Sequence, residues 1–165
     1  MTQIVTKTPP IIKPETYIRL TDHFTLAEML DSDKAVVRGY TEQFFPSAGV
    51  VQNLRLLCEN VLEPLREQAG RSINVSSGYR CQRLNAFVGG SFTSQHMMGQ
   101  AADFKVSGLT IPQTIELIRA LDLPFDQIIQ EFGRWVHVSY SSRDRRQVMI
   151  ASKNRYNKTI YTHVR

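Results

Sequence analysis

Four histidines occur in the 165-residue chain, at positions 23, 96, 137 and 163, and two of them stand beside groups that can do chemistry. His96 lies in Ser94-Gln95-His96-Met97-Met98-Gly99-Gln100-Ala101-Ala102-Asp103, where a turn containing Gly99 separates an imidazole from a carboxylate seven residues on. If Asp103 projects from a strand, that turn returns His96 to its side. His137 sits in Trp135-Val136-His137-Val138-Ser139, and pairing of the two strands would bring all three together. Two imidazoles and a carboxylate with a fourth position open form the donor set of a catalytic zinc, which lowers the pKa of a bound water to about 7. Spacing alone leaves the plainer alternative standing, because a histidine on a strand is more often a hydrogen-bonded core or surface residue than a ligand. Met97 and Met98 read as packing residues, since thioethers suit softer metals, and His23 and His163 read as solvated.

The elements that must hold these residues follow from local pattern. Thr25-Leu26-Ala27-Glu28 has capping-box spacing and predicts a short helix over 26–31. Val50, Val51, Leu54, Leu57, Cys58, Val61, Leu62 and Leu65 recur every three or four residues, the stripe of a long amphipathic helix that Pro64 kinks and Gly70 ends. A strand over 73–77 leads through Gly78, Tyr79 and Arg80 into a helix over 81–87, stopped at Gly89-Gly90. A strand over 101–106 turns Ala102, Phe104 and Val106 inward and Asp103 to the opposite face. Thr110-Ile111-Pro112-Gln113 caps another helix. Strands over 125–131 and 134–140 are joined at Gly133, with Trp135, His137 and Ser139 on one face, and 147–151 reads as a last edge strand. This mixture predicts a single α+β domain with a mainly antiparallel sheet and flanking helices.

Composition agrees: 42% hydrophobic and 21% charged residues suit one globular domain and exclude disorder, collagen and coiled coil. The formal charge of +5 hints at an anionic partner. Its location is uneven. Residues 143–165 hold seven basic residues and one acid, whereas residues 1–142 hold 13 basic and 14 acidic ones. The chain therefore divides into an N-terminal arm (1–21) rich in proline, a domain (22–151) and a basic C-terminal tail (152–165). Cys58 and Cys81 are too few for a disulfide framework and read as buried thiols. No signal peptide and no run of about 18 apolar residues is visible, which predicts synthesis in the cytoplasm and no membrane span.

The strings themselves are more specific than their spacing. Ser94, His96, Gly99, Ala101 and Asp103, followed by Trp135, His137 and Ser139, resemble the metal-binding motifs of the M15 peptidases, the zinc D-Ala-D-Ala carboxypeptidase family. Ser77-Gly78-Tyr79-Arg80-Cys81, with Leu84-Asn85 and Gly89-Gly90-Ser91, is similar to the substrate-side loop of the phage-type branch. Phe24-Thr25-Leu26, Ser32 and Ala35 extend the likeness, which covers about 21–149.

The resemblance implies a hedgehog/DD-peptidase-like fold, one Zn2+ ion held by His96, Asp103 and His137, and hydrolysis of a peptide bond in peptidoglycan stem peptides by a D,D-carboxypeptidase or a lysin-like endopeptidase. It gives Arg80 the task of holding a substrate carboxylate or polarising the scissile carbonyl. Many members carry the general base three positions before the last histidine, where this chain has Arg134; Glu131, at the far side of the turn, takes that role instead, against the alternative of a solvated carboxylate paired with Arg134. Ser94 and Ser139 are candidates to orient ligands, Gln127 and Asp126 to reach the cleft, and Trp135 and Tyr79 to wall it. The implied setting is a phage lysin or virion-associated enzyme reaching the wall after release, with the basic tail adhering to anionic cell wall. A catalytically inactive wall-binding or virion structural module of the same fold is the alternative, and nucleic acid is disfavoured as partner because no nucleic-acid fold signature accompanies the tail.

Overall fold

In the computed structural model residues 18–164 are described; the expected arm falls outside them except for its last four residues. Those four are anchored: Leu20 is buried and Arg19 bridges to Thr25. Thr25 and Ser32 cap two short helices, α1 (Leu26–Leu30) and α2 (Asp33–Arg38), by accepting from the backbone N–H groups of Glu28 and Ala35. A 3-10 turn over Thr41–Phe44 follows.

The long apolar stripe becomes α3 (Ala48–Leu57) and α4 (Glu63–Ala69), joined without a break by a π-turn over Cys58–Leu62. Pro64 explains it. A proline in the second position of α4 offers no N–H, and its ring would collide with the carbonyl of Asn60 in a regular helix. The wider turn admits it, so the axis carries a π-turn where the sequence predicts a kink. Gly70, at φ 59°, ends the helix. Cys58 and Cys81 are free and buried, and burial pushes the Cys58 thiol up.

Six strands form one sheet in the order β1-β2-β4-β3-β5-β6: β1 (Ile73–Ser77), β2 (Ala101–Val106), β3 (Gln127–Glu131), β4 (Trp135–Ser139), β5 (Gln147–Lys153) and β6 (Thr159–His163). The remaining helices are α5 (Gln82–Phe87) and α6 (Ile111–Ala120), the latter opened by a full capping box of Thr110 and Gln113. The fold is α+β as the sequence implies, with two differences. β5 runs parallel to β3, and it is not the edge, because β6 pairs with it through Met149–His163 to Lys153–Thr159. Residues read as a tail thus close the sheet, and their pairing depends on a turn at Asn154–Lys158 that no apolar alternation announces.

One face of the sheet presents Phe104, Val106, Ile128, Val136 and Val138 to α1, α3, α4 and α6 and makes the main core. The opposite face holds Asp103, His137, Ile129, Glu131, Met149 and Tyr161 and floors an open groove of about 1180 Å³. The 3-10 turn Gln95–Met98 packs against α3, and it ends at Gly99, φ 68°. A Cβ at Gly99 would come 2.6 Å from the carbonyl oxygen of Val50, so two requirements, a left-handed backbone and a close approach, fix glycine here. Gly99→Ala should lower stability by about 2 kcal/mol or more in urea unfolding, and an unchanged midpoint would show that α3 yields freely.

Candidate metal centre and groove

Antiparallel pairing places Asp103 of β2 opposite His137 of β4. Opposed residues point to the same side, and the turn through Gly99 returns His96 above them. The result is a buried group in which His96 Nε2, His137 Nδ1 and Asp103 Oδ1 lie 3.1, 3.2 and 2.8 Å from one another (His96–His137, His96–Asp103, His137–Asp103). Among the described residues this is the one cluster of three His, Cys, Asp or Glu side chains placed to hold a metal ion.

The donor chemistry fits zinc. His96 Nδ1–H donates to the Gly78 carbonyl at 2.6 Å, so Nε2 carries the lone pair that faces the cluster. Asp103 divides its oxygens, Oδ1 toward the imidazoles and Oδ2 to the Arg80 guanidinium. Donors on zinc bonds of about 2.0–2.1 Å in a tetrahedron lie about 3.3 Å apart, close to the separations found here. Burial opposes the charge of Asp103, yet His96 and His137 outweigh it and hold its carboxyl well below the usual range. Burial likewise holds the His96 imidazole down, against the pull of Asp103, and so favours its neutral, ligating form.

Arg80 is tied more tightly than a free substrate clamp. Its Nε–H donates to Ser77 Oγ at 2.8 Å and a second nitrogen pairs with Asp103, while the side chain still lines the groove. Ser77 reaches it because a β-bulge between Val75 and Ser77 shifts the register beside Asp103. Sequence reasoning missed what carries this loop. Gln43, fully buried, donates from Nε2 to the carbonyls of Leu30 and Tyr79 and accepts from Cys81 N–H, so one side chain pins both flanks of Arg80. Gly78 is required on its own account, since a Cβ there would lie 2.4 Å from the Met29 carbonyl oxygen.

Glu131 lies on the groove side of β3, two residues from Ile129, which is opposite His137. It is not paired with Arg134; Trp135 Nε1–H donates to its Oε2 at 3.1 Å. Burial and then the Asp103 charge raise its pKa, which suits a base that must also return a proton. Trp135 thereby holds Glu131 as well as walling the groove. Tyr79 lines the groove half-buried, and Gln127 does so with its amide on Gln147 Oε1 at 2.8 Å. Ser139 Oγ accepts from Gln127 N–H at 3.1 Å and so braces β3 against β4, not a ligand. Ser94 lines the groove at the start of the His96 turn without capping it.

Asp126 does not reach the groove. It is fully buried and receives two bonds from the Arg145 guanidinium (2.8 and 2.6 Å), one from Arg145 N–H and one from Gln95 Nε2 at 2.9 Å. This clamp ties the loop before β5 to the residue next to His96.

A family model described as Peptidase M15 matches residues 22–139, a span that contains His96, Asp103, His137, Arg80 and Glu131 and stops at the end of β4. No curated protein matches the chain.

The clamp makes a prediction. Its hydrogen bonds, with Arg145 first among them, outweigh burial and hold the Asp126 carboxyl below the usual range. Its contribution to stability is therefore full above the unfolded carboxylate pKa of about 3.9 and drains away as pH falls toward the folded value. Asp126→Asn should cost about 2 kcal/mol at neutral pH, and its gap from wild type in urea unfolding should shrink as pH drops from about 5 toward 2. A gap independent of pH would contradict the assignment.

Proposed function

The chain belongs to the M15 peptidases and is a metallopeptidase; from that premise we propose that it is a zinc-dependent endopeptidase acting on the peptide stems of bacterial peptidoglycan. The observation that carries the reading is the buried His96–Asp103–His137 group on the floor of a groove that also holds Glu131 and Arg80. The shape of the groove favours internal cleavage. Its lining runs from Asp31–Lys34 at one end, across all three candidate ligands, to Thr159 and Tyr161 at the other. A carboxypeptidase needs a pocket closed around a terminal carboxylate, and a groove of this span accommodates chain on both sides of the bond. No described helix is long and apolar enough to cross a membrane, and the basic C-terminal segment supplies charge for an anionic wall.

Zinc in this site would supply Lewis-acid polarisation of the substrate carbonyl and acidification of water. The protein's own part is positional and electrostatic. Glu131, its pKa raised by burial, accepts a proton from the attacking water and delivers it to the leaving amine. Trp135 fixes its carboxylate through Oε2, which leaves Oε1 for the proton. Arg80, held by Ser77 and Asp103, places fixed positive charge beside the carbonyl oxygen as that oxygen becomes negative. The arginine at position 134 does not disable the site, because the base is carried by the opposing strand, and this favours the enzyme over an inactive wall-binding module.

Glu131→Gln should keep its metal and lose about 10²–10⁴ in kcat on peptidoglycan, whereas His96→Ala should lose metal and activity together. Mass spectrometry of the digest reads both the loss and the new peptide termini. Turnover that survives a chelator, or a Glu131→Gln protein of wild-type kcat, would overturn the mechanism.

A further inference from the structure

Residues beyond the family match build the β5–β6 end of the groove. Across the sheet, Trp135 is opposite Glu131, Glu131 opposite Ala151, and Ala151 opposite Tyr161. Opposed residues share a face, so these four form one row over β4, β3, β5 and β6 on the groove side. The row is graded in size. Ala151 contributes a methyl group and is 1% exposed, while Tyr161 stands beyond it at the edge and lines the groove. Ile129, Met149, Ala151 and Phe132 form a small apolar floor between the metal ligands and β6. The Lys153 ammonium lies over the Phe132 ring at 5.3 Å and donates to Thr159 Oγ1, bracing the hairpin that carries Tyr161.

We infer that the β5–β6 hairpin is a substrate subsite in which Tyr161 grips an extended peptide on the Glu131 side of the cleaved bond. The inference rests on the peptidase reading and adds the element that fixes how much substrate is recognised. Strands lie about 4.8 Å apart and residues rise about 3.4 Å along a strand, so Tyr161, three strands across and two residues along from His137, is about 16 Å from it. An extended peptide spans that in about five residues, and a ring leaning inward shortens it to about three. The phenol senses the site: burial and then the charges of Glu131 and Asp103 raise its pKa. Its ring and the apolar floor suit a small aliphatic side chain, and its hydroxyl suits a backbone carbonyl.

The test is substrate length. Synthetic stem peptides are compared that extend either one or at least four residues past the cleaved bond, on the Glu131 side. Tyr161→Ala should raise KM for the long peptides about tenfold, leave KM for the short ones unchanged, and leave kcat, bound zinc and thermal midpoint at wild-type values. Tyr156→Ala, in the exposed turn between the strands, should move none of these. Equal KM values for long peptides in wild type and Tyr161→Ala would overturn the subsite while leaving the peptidase intact. A zinc-loaded wild-type chain that cleaves no stem peptide would overturn both.

Discussion

A carboxylate buried in the middle of a sheet is the constraint on which this structure turns. Asp103 is 3% exposed, and an isolated charge in that position would be expensive enough to neutralise itself or unfold its surroundings. It lies among His96, His137 and the Arg80 guanidinium, which pairs with it, and His96 and Arg80 are in turn held by groups further out. His96 is oriented by the Gly78 carbonyl, Gly78 packs on the end of α1, and Arg80 is fixed by Ser77 on a bulge and flanked by the Gln43 bonds. α1 is thus connected to His96 through the close approach of Met29 to Gly78 and the Gly78 carbonyl. Two imidazole nitrogens and a carboxylate oxygen within about 3 Å of one another form a group that could hold a divalent cation.

The carboxylate proposed as base stands on the strand opposite the last histidine. In an antiparallel hairpin, residues paired across the strands face the same way, so a carboxylate on β3 serves β4 as well as one on β4 itself. Positive φ at Phe132 and Gly133, with Arg134 N–H donating to the Glu131 carbonyl at 2.8 Å, makes the turn tight enough to keep Glu131 opposite Trp135. Glu131, Ile129 and His137 then share one face, and the indole of Trp135 fixes the carboxylate. Arg134 lies within the turn, outside both strands, and has no such position.

What was legible in the sequence was what local pattern encodes. The bounds of β1 and β2, the caps at Thr25 and Thr110 and the turn at Gly99 are each set by residues within a few positions of one another. The three residues that could hold a metal were legible through strings whose order resembles a family. Three features were not. Gln43 acts across 36 and 38 residues of sequence, the Asp126–Arg145 clamp across 19, and the β3–β5 pairing is parallel, so no short-range signal marks any of them. β6 lies in the segment that reads as a basic tail, and an edge strand whose five residues are all exposed has no alternation to reveal it.

That misreading bears on the charge. A segment with seven basic residues and one acid suggests a solvated polycation. In the fold, four of these cations pair with acids or line the groove. Arg145 neutralises the buried Asp126, and Arg146 pairs with Asp122 and Asp144. Arg143, Arg145 and Lys153 line the groove. Part of the surplus therefore compensates acids of the body, and part is set along the path of the substrate. Arg143, Arg145 and Lys153 put positive charge at fixed positions along the groove, whereas the same charge on a solvated tail would act at no fixed distance from it. Arg143, Arg145, Lys153, Thr159 and Tyr161 thus make the described part of the C-terminal segment a wall of the groove.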